Sequence, residues 1–482
     1  MNHFMRLIIW GALFWMLTGC AAARPAANDA LPLEPCRLAG DLKAQCGRLT
    51  VWEDRQAGSG RTIDLNIVVI PATSSVNEPD PLFLLAGGPG QAASEVFPLM
   101  LAAFEDIRRT RDIVLVDQRG TGKSNPLDCP SLSELAEDAD EEVAVQALHQ
   151  CAAALDADPR LYTTDIAMAD LNDVRQALGY EQINLYGISY GSRAAMVYLQ
   201  LYPETVRSVI LDAVAGPELV LFMHMPRDGQ RALELLFERC ANDPDCQTAF
   251  PDLPATFAAL LDQLAEPQEL RLSHPLSGQL TDFTLTRDML TQFIFNAMYS
   301  SDFVALLPLL IYQAQETGDL GPLVSQALAI GEQAGITPGL LYAVTCAEDA
   351  PFISLEEAAT LQSETVFPLT AETFLQICEG WPAGTPFAGL RQPLVSDRPV
   401  LLLSGEADPV TPPYYAEQVA ANLPNGRHLT IPGYAHGVAG LHCVNEMMSQ
   451  FVGAASVDNL NVDCLDKVTP PPFFVTLAGP KP

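Results

Sequence analysis

Gly187-Ile188-Ser189-Tyr190-Gly191 carries the strongest structural signal in the chain. Apolar Ile183 and Leu185 precede it, and the helix-forming run 193–200 follows. Strand, tight turn and helix are the natural reading, with glycines at the two positions where a Cβ would crowd the turn. Such a turn lifts Ser189 onto a strained corner above the end of a parallel sheet and leaves its hydroxyl exposed. The helix that begins there directs free backbone N–H groups and its positive dipole end at any charge developing beside the serine. The pattern predicts a nucleophilic Ser189, on condition that the chain also supplies a base, an acid and donors for an oxyanion.

Strand-like runs surround this turn at 49–52, 63–70, 82–85, 113–116, 183–186 and 209–211, with amphipathic candidates such as 165–178 between them. Short apolar strands separated by helices imply a parallel sheet covered on both faces. From about 217 to 387 helical patterns dominate, at 229–240, 253–264, 288–298, 303–315 and 323–334. After Pro393 the alternation resumes with a strand at 400–403, a helix at 414–422 and a strand at 428–431. An α/β domain interrupted by a helical insertion is the simplest account. In an open sheet such an insertion sits over the carboxyl ends of the strands, where ligands bind.

Serine becomes a nucleophile when a base takes its proton, and the base needs an orienting acid. In this fold class the partners follow in the order serine, acid, histidine. Asp408 lies on the loop beyond strand 400–403, and His436 lies in the Gly-flanked loop beyond strand 428–431. Of seven histidines, His3 falls in the N-terminal segment, His149, His224 and His274 fall in helices or the insertion, and His428 falls within a strand. His442, beside Cys443, is the competing base; Glu406 and Asp212 are the competing acids.

A tetrahedral intermediate needs two backbone donors, one after the nucleophile and one from the loop after an early core strand. Tyr190 supplies the first, and Gly88 within Gly87-Gly88-Pro89-Gly90 the second. Asp117-Gln118-Arg119-Gly120-Thr121-Gly122-Lys123-Ser124 contains a Gly-Lys-Ser, but a phosphate-binding loop needs glycine where Asp117 stands. A rigid turn with Asp117 and Arg119 as an ion pair or hydrogen-bond hub is expected there instead.

Acids outnumber bases 59 to 26 over 482 residues, which excludes a nucleic-acid partner because phosphate contacts need a basic face. The net charge of −33 serves solubility, or else attracts cationic substrates such as peptide amino termini. Arg6, the apolar stretch after it and Leu17-Thr18-Gly19-Cys20 form a targeting segment, too short to span a bilayer that needs about 20 residues. The last four resemble a bacterial lipobox in which Cys20 is lipidated; Ala21 after it points to the outer membrane, and an ordinary secretory peptide is the alternative. Export makes the ten other cysteines readable as disulfides. Spacing leaves connectivity open; pairing of neighbours (Cys36–Cys46, Cys129–Cys151, Cys240–Cys246, Cys346–Cys378, Cys443–Cys464) is expected, and no ligand spacing for zinc occurs.

Residues 87–90, 117–124 and 187–191, with the late Asp408 and His436, resemble the proline iminopeptidase branch of α/β-hydrolases. Residues 343–349, and the ending from His436 through Cys443 to Cys464, are similar to secreted tripeptidyl-aminopeptidase-like members of that branch. One departure is Ala86, where iminopeptidases often carry histidine. The resemblance implies an α/β-hydrolase fold: a mostly parallel sheet with helices on both faces and an inserted helical lid. The corresponding division is a signal peptide (1–19), a tether (20–30), core (31–216), lid (217–390) and core (391–482). It also implies a peptide substrate cut near its free amino terminus, with no cofactor or metal. Such an exopeptidase needs carboxylates for the α-ammonium group, and Glu348 and Asp349 are the candidates; an exposed acidic turn ahead of Pro351 is the alternative. An esterase or lipase with the same triad, and a non-catalytic peptide-binding lipoprotein, are the rival functions.

Overall fold

Nine strands form one twisted sheet because the apolar runs are short, β-rich and bounded by turn residues. In the computed structural model, residues 31–481 are described, apart from 136–140, 274–276, 332–334 and 369–370. The expectations for Cys20, the signal peptide, the tether, His3 and His274 therefore lie outside the described residues.

In chain order the strands are β1 (Glu34–Arg37), β2 (Lys43–Trp52), β3 (Thr62–Ile70), β4 (Leu82–Leu85), β5 (Ile113–Val116), β6 (Ile183–Ile188) and β7 (Val206–Asp212). Strands β8 (Gln268–Ser273) and β9 (Leu280–Leu285) form a separate hairpin; β10 (Val400–Gly405) and β11 (Gly426–Ile431) complete the large sheet. Its order is β1-β2-β3-β5-β4-β6-β7-β10-β11. From β5 to β11 neighbours run parallel. The first three strands pair antiparallel, so the early part of the sheet departs from the parallel expectation. The reason is local: β2 and β3 are joined by a turn at 53–61 with no crossover helix, and parallel pairing needs a crossover of a dozen or more residues.

Alternation along each strand sends consecutive apolar residues to opposite faces. Leu65, Phe83, Val114, Leu185, Val209 and Leu402 pack under one helical layer, and Val68, Leu84, Leu115, Tyr186, Ile210 and Leu403 under the other. Both faces are covered, as expected for a parallel sheet.

The insertion is mostly helical and has its own buried core, including Leu233, Phe257, Ile294 and Ile311. Two features there differ from expectation. The hairpin of β8 and β9 stands where few strands were foreseen. The helix Pro338–Glu348 packs Leu340, Ala343 and Val344 into the core of the large sheet rather than into the core of the lid. Five disulfides join Cys36–Cys46, Cys129–Cys151, Cys240–Cys246, Cys346–Cys378 and Cys443–Cys464. Among the described residues no helix is long and apolar enough to cross a membrane.

Candidate active site

β6 ends at Ile188, and Ser189 follows with φ 56° and ψ −125°, a conformation that L-residues rarely adopt. Surrounding structure holds it there. A Cβ on Gly187 would lie 2.2 Å from Gly191 O, and one on Gly191 would lie 2.1 Å from Leu85 O. Only glycines allow β6, β4 and the helix Tyr190–Leu201 to approach so closely. Ser189 N donates to Asp212 O (3.0 Å), and Ser192 Oγ donates to Ser189 O (2.5 Å) while accepting from Ala215 N (2.9 Å). The strained corner is thus tied to β7 on one side and to its own helix on the other.

Asp408 and His436 meet beside it. His436 Nδ1 lies 3.0 Å and 2.9 Å from the two carboxylate oxygens of the fully buried Asp408. That carboxylate also accepts from Val410 N (2.9 Å), Thr411 N (2.9 Å) and Thr411 Oγ1 (2.7 Å). Burial raises the Asp408 pKa, but the His436 charge and these donors outweigh it and hold the carboxyl below its ordinary value. Burial lowers the His436 pKa, yet the charge and hydrogen bond of Asp408 win, and the imidazole is held above its usual 6.5. A Cβ on Gly437 would reach Ile188 Cδ1 at 2.7 Å, so the histidine loop packs directly against the residue before Ser189.

The lid contributes to this loop. His436 N donates to Tyr299 O (3.2 Å), the Tyr299 ring stands edge-on to the imidazole with centroids 5.0 Å apart, and Ala435 N donates to Ser301 Oγ (2.9 Å). Neither lid contact was legible from spacing.

The competing residues take other positions. His442 is exposed and pairs with Glu446 on its own helix (3.3 Å). Glu406 accepts from Gly433 N (2.7 Å) and so braces the turn before His436 without touching its ring. Asp212 accepts from Tyr186 Oη (2.8 Å), Val438 N (3.1 Å) and Ala439 N (3.0 Å), fixing the backbone after His436.

On the other side of Ser189 lies the glycine loop after β4. A Cβ on Gly87 would sit 3.2 Å from Ser189 Cβ, and Gly87 N already donates to Gln91 Oε1 (3.2 Å). Gly88, with φ 105°, turns the chain in a way that glycine permits and other residues resist. Its N–H and that of Tyr190, first in its helix, have no protein acceptor among the described residues. From the lid, Thr337 N donates to Gly90 O (2.9 Å) and closes this loop from above.

Asp117 is a hub, accepting from Ser94 N (2.8 Å), Ser94 Oγ (2.9 Å) and Asn66 Nδ2 (2.8 Å). It does not pair with Arg119, whose guanidinium binds Asp170 at 2.6 Å and 2.9 Å.

Glu348 and Asp349 differ from expectation, since both are buried. Asp349 accepts from Arg193 Nη1 (2.9 Å), Arg391 Nη2 (2.8 Å) and Leu221 N (3.1 Å). Burial alone would raise its pKa; the two guanidiniums keep it below the ordinary value. Glu348 accepts from Thr164 N (2.7 Å) and Thr164 Oγ1 (2.9 Å). Helix Pro338–Glu348 drives its last residues into the sheet core, so these carboxylates serve internal partners, and the exposed acidic turn is ruled out.

A family model described as alpha/beta hydrolase fold matches residues 80–441. A tripeptidyl aminopeptidase of Streptomyces coelicolor is 25% identical over 94% of this chain and 89% of its own length. The serine protease Hip1 of Mycobacterium tuberculosis is 25% identical over 92% of this chain and 95% of its own. Among solved structures, a proline iminopeptidase of Mycobacterium smegmatis superposes with a TM-score of 0.38 at 16% identity, covering 85% of this chain and 98% of that one.

Proposed function

Because the chain belongs to the α/β-hydrolase fold family and is a hydrolase enzyme, we propose that it is a serine peptidase acting near the free amino terminus of peptides. The observation that carries this reading is the buried Asp408–His436 pair, hydrogen-bonded behind the strained turn that raises Ser189. Relatives named tripeptidyl aminopeptidase and serine protease, similar along nearly the whole chain, support a peptide rather than a simple ester as substrate.

The chemistry follows from the atoms present. Ser189 Oγ attacks the carbonyl carbon while its proton passes to His436 Nε2, and Asp408 stabilises the resulting imidazolium. The oxyanion accepts from the Tyr190 and Gly88 N–H groups. His436 then donates its proton to the departing amine, leaving an acyl ester on Ser189. Water attacks that ester and gives its proton to His436, which passes it to Ser189 Oγ as the C–O bond breaks and the carboxylic acid leaves.

Mass spectrometry of products from a mixed peptide library tests this. Short fragments released from free amino termini, and refusal of the N-acetylated library, are expected. Hydrolysis of acyl esters without peptide cleavage would make the protein an esterase instead.

Five disulfides and the likeness to the Hip1 protease support export, and Cys20 would carry the lipid anchor of an outer-membrane lipoprotein. Cys20→Ser should move the protein from the membrane to the soluble fraction; an unchanged membrane fraction would refute the anchor.

A further inference from the structure

Glu348 is a fully buried carboxylate with no ion-pair partner within 4 Å among the described residues. The neighbouring guanidiniums of Arg193 and Arg391 both bind Asp349, and Arg391 reaches only the backbone oxygen of Glu348 (2.6 Å). Burying such a group is costly, and a glutamine or a leucine would fill the space more cheaply. Part of its role is local. Thr163, at the start of helix Thr164–Ala177, makes no side-chain capping bond, and Glu348 receives Thr164 N in its place. A glutamine could do that equally well.

The hydroxyl of Thr164 leads elsewhere. It donates to Glu348 Oε2 (2.9 Å) and meets Tyr190 Oη (2.9 Å), which also receives Gln118 Nε2 (3.0 Å). With Glu348 ionised the chain has one direction: Gln118 donates to Tyr190, Tyr190 to Thr164, and Thr164 to Glu348. Protonated Glu348 would donate to Thr164 instead, Thr164 would donate to Tyr190, and the Tyr190 proton would be trapped between two donors. Tyr190 is also the residue whose backbone N–H is proposed above as an oxyanion donor.

We infer that Glu348 is a positioning residue which, through Thr164 and the Tyr190 hydroxyl, holds the Tyr190 N–H in line for the oxyanion. The inference rests on the serine-peptidase reading above. Its setting makes the relay sensitive to pH. Burial raises the Glu348 pKa most, Arg193 and the Thr164 hydrogen bonds oppose it, Asp349 adds to it, and the carboxyl is pushed up to about 7. Tyr190 and Arg193 face it from the helix Tyr190–Leu201, and Arg391 from the segment before β10. The relay is set above that pH and disturbed below it.

The test uses the purified full-length chain, a chromogenic peptide amide, and the variants Glu348→Gln, Tyr190→Phe and their combination. Removing one oxyanion donor costs roughly 100- to 1,000-fold, so misaligning one should lower kcat by about tenfold with KM unchanged. On the acid side, wild-type kcat/KM should fall in two stages, for Glu348 and His436, and that of Glu348→Gln in one. In the Tyr190→Phe background, Glu348→Gln should change kcat less than about twofold, because the link is already cut. If Glu348→Gln does not fold, Thr164→Val replaces it, with Thr164→Ser restoring activity. Wild-type kcat and a wild-type pH profile in Glu348→Gln, or effects of the two substitutions that multiply, would overturn the inference. Ser189→Ala separates the two claims: its inactivity leaves the peptidase reading standing whatever Glu348 does, and its activity would refute that reading first.

Discussion

Replacing Asp349 by asparagine separates a structural brace from a substrate reader. The carboxylate takes hydrogen bonds from Arg193 Nη1 (2.9 Å), Arg193 Nη2 (3.3 Å) and Arg391 Nη2 (2.8 Å); Asp349 and Arg193 are buried and Arg391 is partly so. The substituted amide would keep the volume and one acceptor but take from two guanidiniums the carboxylate that binds them both. Breaking a buried pair by removing one partner costs about 3–5 kcal/mol. For 482 residues the unfolding entropy is about 1 kcal/mol per kelvin, so the melting temperature should drop by about 3–5 °C. The sign with pH follows from the lowered Asp349 pKa. Its contribution is present above the ordinary value of 3.8 and is lost as pH falls through the folded value, so the gap between wild type and variant should close in acid. Scanning calorimetry at several pH values measures this, alongside KM for free and N-acetylated peptides. A melting temperature within about 1 °C of wild type, together with lost preference for free amines, would refute the brace and restore Asp349 as an amine reader.

Three further outcomes are expected. In Glu348→Gln, where only His436 titrates on the acid side, the midpoint of kcat/KM should lie above 6.5, because Asp408 favours the imidazolium and the base works only when neutral; a midpoint below that value would contradict the pairing. Gly191→Ala should abolish activity and soluble expression, since the new Cβ would sit 2.1 Å from Leu85 O; an active, soluble variant would show that the turn can relax. Replacing Cys346 and Cys378 by serine opens a loop of 32 residues and should cost about 3–4 kcal/mol in urea unfolding, with no change if the bond is dispensable.

The placement that depends on local pattern was legible. Ser189 and Asp408 each follow a short apolar strand and His436 a short mixed one, and a strand end in a parallel sheet is a position that the chain announces through turn residues. What pairs across long separations was not. Glu348 reaches Thr164 across 184 residues, and nothing in either neighbourhood encodes that meeting. The same holds for Tyr299 beside His436 and for Asp212 beneath the histidine loop. Glu348 and Asp349 stood in sequence as candidate readers of a substrate amine or as an exposed acidic turn, and neither reading foresees their burial. Their burial follows from Leu340, Ala343 and Val344, whose helix docks on the sheet instead of the lid. The hairpin of β8 and β9 did carry a signal: Leu270 and Leu272, then Phe283 and Leu285, alternate with polar residues, but each run is short.

Every step proposed above depends on Ser189 acting as the nucleophile of an acyl-transfer site. Treating the folded protein with a fluorophosphonate and mapping the adduct by mass spectrometry tests it most directly. One adduct per chain is expected, on Ser189, formed more slowly in His436→Ala and absent from Ser189→Ala, which also loses peptide hydrolysis. No adduct on wild-type protein, an adduct on another residue, or undiminished hydrolysis by Ser189→Ala would contradict it.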